Sequence, residues 1–188
     1  LEAIPSMGGI RMLPDVTPAA IHNLARGMTL KNAAADLPYG GGKSGIVAPS
    51  NLPPAEHTAI VRGFAHLIKR YVRLYNPGPD VGTNDQDMKT VAIENGLDAV
   101  VSKPIDMGGN RIDQLGAAAG GCVIALEQLH REAARLRGLP QFRNLDIPSW
   151  DKVTCIIQGF GAVGAHVARF LSEMEKNQGQ APQVIGIS

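Results

Sequence analysis

Residues 153–188 constrain the fold more tightly than any other stretch of this chain. Val153-Thr154-Cys155-Ile156-Ile157 is an apolar run of strand formers, the pattern of a strand buried on both faces of a parallel sheet. It leads straight into Gly159-Phe160-Gly161-Ala162-Val163-Gly164. Val167, Ala168, Phe170 and Leu171 follow at helical spacing, and Gln183–Ile187 is a second strand pattern. Strand, G-x-G-x-x-G, helix, strand is the arrangement that binds dinucleotides. Its glycines allow a tight turn, the approach of a pyrophosphate, and close helix–strand packing. The helix N-terminus adds free amides and the positive end of a dipole. Gly159, Phe160, Gly161, Ala162, Val163 and Gly164 are the candidate cofactor-binding residues, and a dinucleotide is the candidate cofactor. The acidic residue that would hold the ribose hydroxyls belongs after the second strand. The sequence ends there, at Ser188.

A second feature lies upstream. Met28–Ile46 reads MTLKNAAADLPYGGGKSGI and carries Lys31 and Lys43, twelve positions apart. Lys31 falls in a run of helix formers, Ala25, Met28, Ala33, Ala34 and Ala35. Lys43 follows three glycines and enters the apolar Ile46-Val47. A glycine run permits positive φ and lets backbone approach a ligand. Taken alone, a lysine beside such a turn reads as a surface cation, so its meaning depends on the rest of the chain.

The other elements follow from local signals. Gly8–Leu13 is a short strand leaving a glycine turn. Thr17-Pro18 starts a helix, with threonine as N-cap and proline in the first turn. Gly45–Ala48 is the next strand. Pro53-Pro54 opens a helix to about Tyr71, with Ile60, Phe64, Leu67, Ile68 and Tyr71 as its apolar stripe. Asn76-Pro77-Gly78-Pro79 reads as a turn. Asp85 and Asp87 suit the N-terminus of a further helix. A long helix is expected from Gln114 to Arg137. The expected organisation is α/β, with a substrate-binding and catalytic domain over 1–140 that includes an interdomain helix. A linker over 141–150 and a partial dinucleotide-binding domain over 151–188 complete it. The opening on Leu1 and the close on a strand pattern suggest a piece of a longer protein.

Composition narrows the partners. A formal charge of +1 over 188 residues argues against nucleic acid or an anionic membrane as the main partner. No apolar run reaches the roughly 18 residues of a membrane span, and no signal peptide is visible. Cys122 and Cys155 lie in apolar stretches without metal-type spacing and read as buried, reduced thiols. The five histidines are scattered, so no metal site is expected. These features point to a cytoplasmic location.

The motifs together resemble the amino-acid dehydrogenases that act on glutamate, leucine, phenylalanine or valine. They are Gly8-Gly9-Ile10-Arg11, Met28–Ala33, Leu37–Lys43 with its three glycines, Asp80-Val81-Gly82-Thr83-Asn84, Lys103-Pro104 and Gly159–Gly164. The resemblance covers nearly the whole chain. It implies an α/β substrate domain of the dimerisation type followed by the start of a Rossmann domain, with the active site between them. It implies oxidation of an L-amino acid to a 2-oxoacid and ammonia with NAD or NADP, in a homo-oligomer. By motif position, Lys31 binds the substrate α-carboxylate and Lys43 is the general base that activates water. Asp80 exchanges a proton with the amino group, and Gly41 and Gly42 line the substrate site. One stretch departs from the family, because Ala118-Ala119-Gly120-Gly121-Cys122 lacks a threonine hydroxyl.

The residue types suit that chemistry. A carboxylate substrate needs a fixed cation. Hydrolysis of an iminium needs a base near neutral pH, and an ordinary lysine titrates at about 10.4, so burial and a cationic neighbour are required. Lys31 is the expected neighbour. Without the lysines, Asp80 reads as an Asx turn or cap after Pro79. Arg11 fits either a substrate contact or a structural ion pair. Substrate choice has one handle, Met7. Glutamate-specific members resemble Lys-Gly-Gly-Ile-Arg there, and a thioether in place of the lysine favours an apolar side chain. Glutamate dehydrogenase is the alternative, and a silent nucleotide-binding paralogue is another.

Overall fold

The computed structural model describes residues 4–188. The chain divides into two compact units, Leu1–Asn110 and Arg111–Ser188. The division falls ahead of the segment expected to be the long helix, so that segment packs with the second unit. No helix among the described residues is long and apolar enough to cross a membrane.

The first unit is built on strand β1 (Ser6–Leu13). Strands β2 (Gly40–Gly41) and β3 (Ser44–Val47) pair with it in parallel along one side, and β4 (Tyr75–Pro79) along the other. Helix α1 (Pro18–Ala34) connects β1 to β2, and the Thr17 side chain accepts from the Ala20 amide, as its N-cap signal required. Helix α2 (Pro54–Ile68) runs into a 3-10 turn at Lys69–Tyr71. Helix α3 (Asp85–Asn95) starts with a capping box between Asn84 and Asp87. The core joins Ile10 of β1 to Val61, Ala65 and Ile68 of α2, and to Met88, Val91 and Ala92 of α3.

Two expectations need correction here. The stripe on α2 keeps Ile68, which is buried, and Phe64, which packs against the core, but Val61 and Ala65 join them while Leu67 and Tyr71 are exposed. Residues 76–79 form a strand, not a turn. The Pro77 carbonyl accepts from Val101 N at 2.9 Å, away from β1. Residues 77 and 79 therefore both turn their nitrogens off the β1 ladder, and neither proline removes a bond from it.

The second unit contains α4 (Ile112–Leu115), α5 (Ala117–Arg131), α6 (Ala133–Leu136) and α7 (Ala162–Gln178). Strands β5 (Thr154–Ile157) and β6 (Gln183–Ile187) pair in parallel. The single long helix expected over 114–137 is broken at Gly116, whose φ is +69°. A Cβ there would stand 2.7 Å from the His166 ring. Within residues 141–150, the Trp150 ring lies 5.1 Å from the His130 ring of α5, and the Pro148 carbonyl is 2.9 Å from His130 Nε2. Cys122, expected to be buried, is exposed on α5, and both cysteines are free.

Candidate active site

Alternation along β1 sends Ile10 and Met12 into the core and Arg11 to the opposite face. There Arg11 Nε donates to Asp80 Oδ2 at 2.8 Å. Lys43, in the step between β2 and β3, reaches the same oxygen, with Nζ 3.0 Å away. Its side chain is only 7% exposed, against 21% for Asp80. Both catalytic candidates are thus in direct contact, and the cation that shares their carboxylate is Arg11.

Asp80 leaves the end of β4 in a tight turn. Its amide donates to Thr83 Oγ1 at 2.9 Å, and the Thr83 hydroxyl donates to the Ile10 carbonyl at 2.7 Å. Gly82 completes the turn with φ +84°, where a Cβ would meet the Met12 carbonyl at 2.0 Å. The turn reading of Asp80 and the catalytic reading are therefore compatible. Burial pushes the Asp80 carboxyl up, but hydrogen bonds and positive charge from Arg11 and Lys43 outweigh it and hold the group below its ordinary value.

Tyr75 of β4 closes the other side. Its hydroxyl donates to the Gly8 carbonyl at 2.9 Å. Burial pushes this phenol up to about 12, the Ser44 hydroxyl draws it down, and the negative charge of Asp80 pushes it up again. Sequence reading passed over Tyr75 because the segment after it looked like a turn. Of the two readings open for Arg11, the structure shows the ion pair, and period-two alternation from Ile10 gives the face it lies on.

The side-chain space that the glycine run gives up is taken by protein. Gly40, Gly41 and Gly42 all have negative φ. A Cβ on Gly41 would stand 2.1 Å from the Ala25 carbonyl of α1, and one on Gly42 would stand 2.6 Å from the Tyr75 ring. The absent side chains admit protein, a helix backbone and an aromatic ring. α1 also fixes the run by hydrogen bonds: Thr29 Oγ1 accepts from Gly41 N at 3.2 Å, and buried Asn32 donates to the Gly40 carbonyl at 3.0 Å. Gly42 N in turn donates to the carbonyl of half-buried Met7 at 2.9 Å, and Met7 lies in register between Gly41 and Asn76. Lys31 stands exposed in the last turn of α1 and makes no ion pair among the described residues.

In the second unit, β5 passes through Gly159, with φ +82°, into α7. Gly159 N donates to the Ser188 carbonyl at 2.8 Å, joining the turn to the end of β6. A Cβ on Gly164 would meet the Gly159 carbonyl at 2.0 Å, so the third glycine is needed for packing. A Cβ on Gly161 would enter open space. Gly161 is the N-cap and offers no side chain to the first amides of α7. Open space over uncapped amides fits the pyrophosphate of a dinucleotide. Phe160 and Val163 flank it, both exposed.

The model of the Glu/Leu/Phe/Val dehydrogenase dimerisation domain matches residues 2–95. The chain belongs to the Glu/Leu/Phe/Val dehydrogenase family. Among its relatives in that family is the NAD-specific glutamate dehydrogenase of Staphylococcus aureus, 34% identical over 98% of this chain and 42% of the relative. The crystal structure of the hetero-hexameric glutamate dehydrogenase of Thermus thermophilus, in its leucine-bound form, superposes with a TM-score of 0.73. It is 28% identical and covers 98% of this chain and 42% of that one. The glutamate dehydrogenase of Peptoniphilus asaccharolyticus superposes with a TM-score of 0.66 at 30% identity, covering 97% and 44%. The chain thus spans 42% of the length of the curated relatives it matches.

Proposed function

We propose that the protein carrying this chain is a nicotinamide-dependent L-amino acid dehydrogenase that releases a 2-oxoacid and ammonia. The observation that supports it most is the buried Lys43 Nζ set 3.0 Å from Asp80 in a family of such enzymes. Asp80 accepts a proton from the substrate ammonium, leaving a free amine. Bound NAD or NADP would supply the acceptor for the hydride of Cα. Neutral Lys43 takes a proton from water as the water oxygen bonds to the iminium carbon. Asp80 returns its proton to the nitrogen; as the C–N bond breaks, the hydroxyl proton passes to the ionised Asp80 carboxylate, ammonia leaves and the carbonyl forms. Lys31 anchors the α-carboxylate, and Gly41, Gly42 and Met7 line the substrate side. Gly159, Phe160, Gly161, Ala162, Val163 and Gly164 hold the cofactor phosphates. The family description as a dimerisation domain supports a homo-oligomer. The site takes small molecules, and we assign the protein to the cytoplasm.

Met7 supports an apolar amino acid as substrate. The names of the relatives favour L-glutamate as a second reading. Reduced-cofactor formation by the full-length chain with L-leucine, L-phenylalanine, L-valine and L-glutamate separates the two. Lys43→Ala should lower turnover by roughly 10²–10⁴-fold, the ordinary range for a general base, with cofactor binding kept. Unchanged turnover would remove Lys43 from its role. Cofactor binding without turnover of any amino acid would instead favour a silent paralogue.

A further inference from the structure

We infer that Arg11 is a positioning residue for this reaction: while Lys43 carries no charge, it holds Asp80 in place and keeps it ionised until the carboxylate takes the substrate's proton. The inference rests on the dehydrogenase reading above. Two cations converge on one oxygen, Asp80 Oδ2, Arg11 from β1 and Lys43 from the step between β2 and β3. The geometry looks redundant until the chemistry is followed. A lysine that later takes a proton from water is already a neutral amine when Asp80 takes the ammonium proton, and its attraction for the carboxylate is then that of a neutral donor. The titratable groups facing Asp80 among the described residues are Arg11, Lys43 and Tyr75. Tyr75 is neutral at physiological pH and supplies no positive charge. Arg11 is left as the only cation facing Asp80 among these groups, and a guanidinium does not lose its proton in proteins.

Placement agrees with this role. Arg11 stands on the central strand, one residue after Ile10, which is fully buried. It bonds through Nε, so a planar group fixes the direction of the contact. The Thr83 hydroxyl bridges the Asp80 turn to the Ile10 carbonyl of the same strand. Carboxylate and turn are thus both tied to β1. Both recorded contacts fall on Oδ2, which leaves Oδ1 to exchange a proton with the amino group.

The test is a carbon-13 NMR titration of the Asp80 carboxyl in the full-length chain, assigned by its absence in Asp80→Asn. In Lys43→Met the carboxyl should still titrate below the ordinary aspartate value of about 3.9, because Arg11 alone holds it. In Arg11→Gln its midpoint should rise above that of the unsubstituted protein. An ordinary value in Lys43→Met, or an unmoved midpoint in Arg11→Gln, would overturn the inference. If Arg11→Gln does not fold, Lys43→Met decides alone. In turnover, the acid limb of kcat/KM should move up in Arg11→Gln and return towards its original position in Arg11→Lys. A purely structural residue would change yield without moving that limb. Absence of turnover in the unsubstituted protein sinks the dehydrogenase reading, while the carboxyl titration still reports whether Arg11 holds Asp80.

Discussion

Gly9 faces Asp80 with no space between them for a side chain. A Cβ on Gly9 would stand 2.6 Å from the Asp80 Cβ, 2.7 Å from the Pro79 carbonyl and 3.2 Å from Lys43 Nζ. The nearest of these atoms belong to β4 and to the first atom of a side chain, so neither swings aside cheaply. Gly9→Ala should therefore displace β4 from β1 and carry Asp80 with it. Overpacking of this kind costs about 1–3 kcal/mol. A misplacement near 1 Å lowers turnover by roughly 10²-fold. Thermal melting and kcat/KM on the same preparation check both. Full activity in Gly9→Ala would show that the site tolerates a shifted Asp80.

Asp80→Asn tests the shared carboxylate. It leaves Arg11 and the nearly buried Lys43 facing a neutral amide. Losing a hydrogen-bonded charge partner costs roughly 1–3 kcal/mol, and proton exchange with the amine is lost as well. The pH dependence has a definite sign. The folded-state pKa of Asp80 is depressed, so its contribution is present above the unfolded value of about 3.9 and is lost as pH falls through the folded value. Urea midpoints of the unsubstituted protein should fall on acidification through this region, and Asp80→Asn should lack that component. Parallel acid limbs in the two proteins would count against the ion pair.

The caps and the glycine turn before α7 were legible because each rests on local chemistry. Thr17 before a proline and Asn84 before two aspartates both cap a helix by a side-chain oxygen within three residues. Gly159, Gly161 and Gly164 follow from a fixed spacing between a strand and a helix. The strand at Tyr75–Pro79 was not legible, since its prolines are tolerated only because β1 lies on their other side. Lys43 and Asp80 stand out in the sequence, and the cation expected beside Lys43 was Lys31, whereas the cation that shares Asp80 with it is Arg11. That expectation followed proximity in sequence, whereas β1 brings Arg11 there from far along the chain. The glycines before Lys43 were read as room for a ligand, and the atoms in that room are those of α1 and Tyr75.

Tyr75 gives a prediction at alkaline pH. Its folded-state value of about 12 exceeds the ordinary value of 10.0. The folded protein keeps the phenolic proton where the unfolded chain has lost it. The contribution is therefore complete below about pH 10 and is lost as pH rises towards 12. Denaturant midpoints of the unsubstituted protein should fall across that window more steeply than those of Tyr75→Phe. At neutral pH, Tyr75→Phe strands the Gly8 carbonyl and should cost about 1 kcal/mol. Identical alkaline slopes would mean that the phenol is not held in its neutral form.

The glycine turn before α7 separates packing from proposed binding. Gly164 needs its missing side chain for the fold, because a Cβ would lie 2.0 Å from the Gly159 carbonyl and 3.1 Å from Ile157. Gly161 does not, since its Cβ would enter open space, and its φ of −82° suits alanine. Gly161→Ala should leave thermal stability within about 0.5 kcal/mol, as a substitution free of clashes does. It should still weaken the cofactor, because the new methyl occupies the approach of the pyrophosphate to the α7 amides. Gly164→Ala should lower both stability and affinity. NADH fluorescence titration beside thermal melting, on the full-length protein, reads the two effects separately. Equal NADH affinity in Gly161→Ala and the unsubstituted protein would move the phosphates away from this turn.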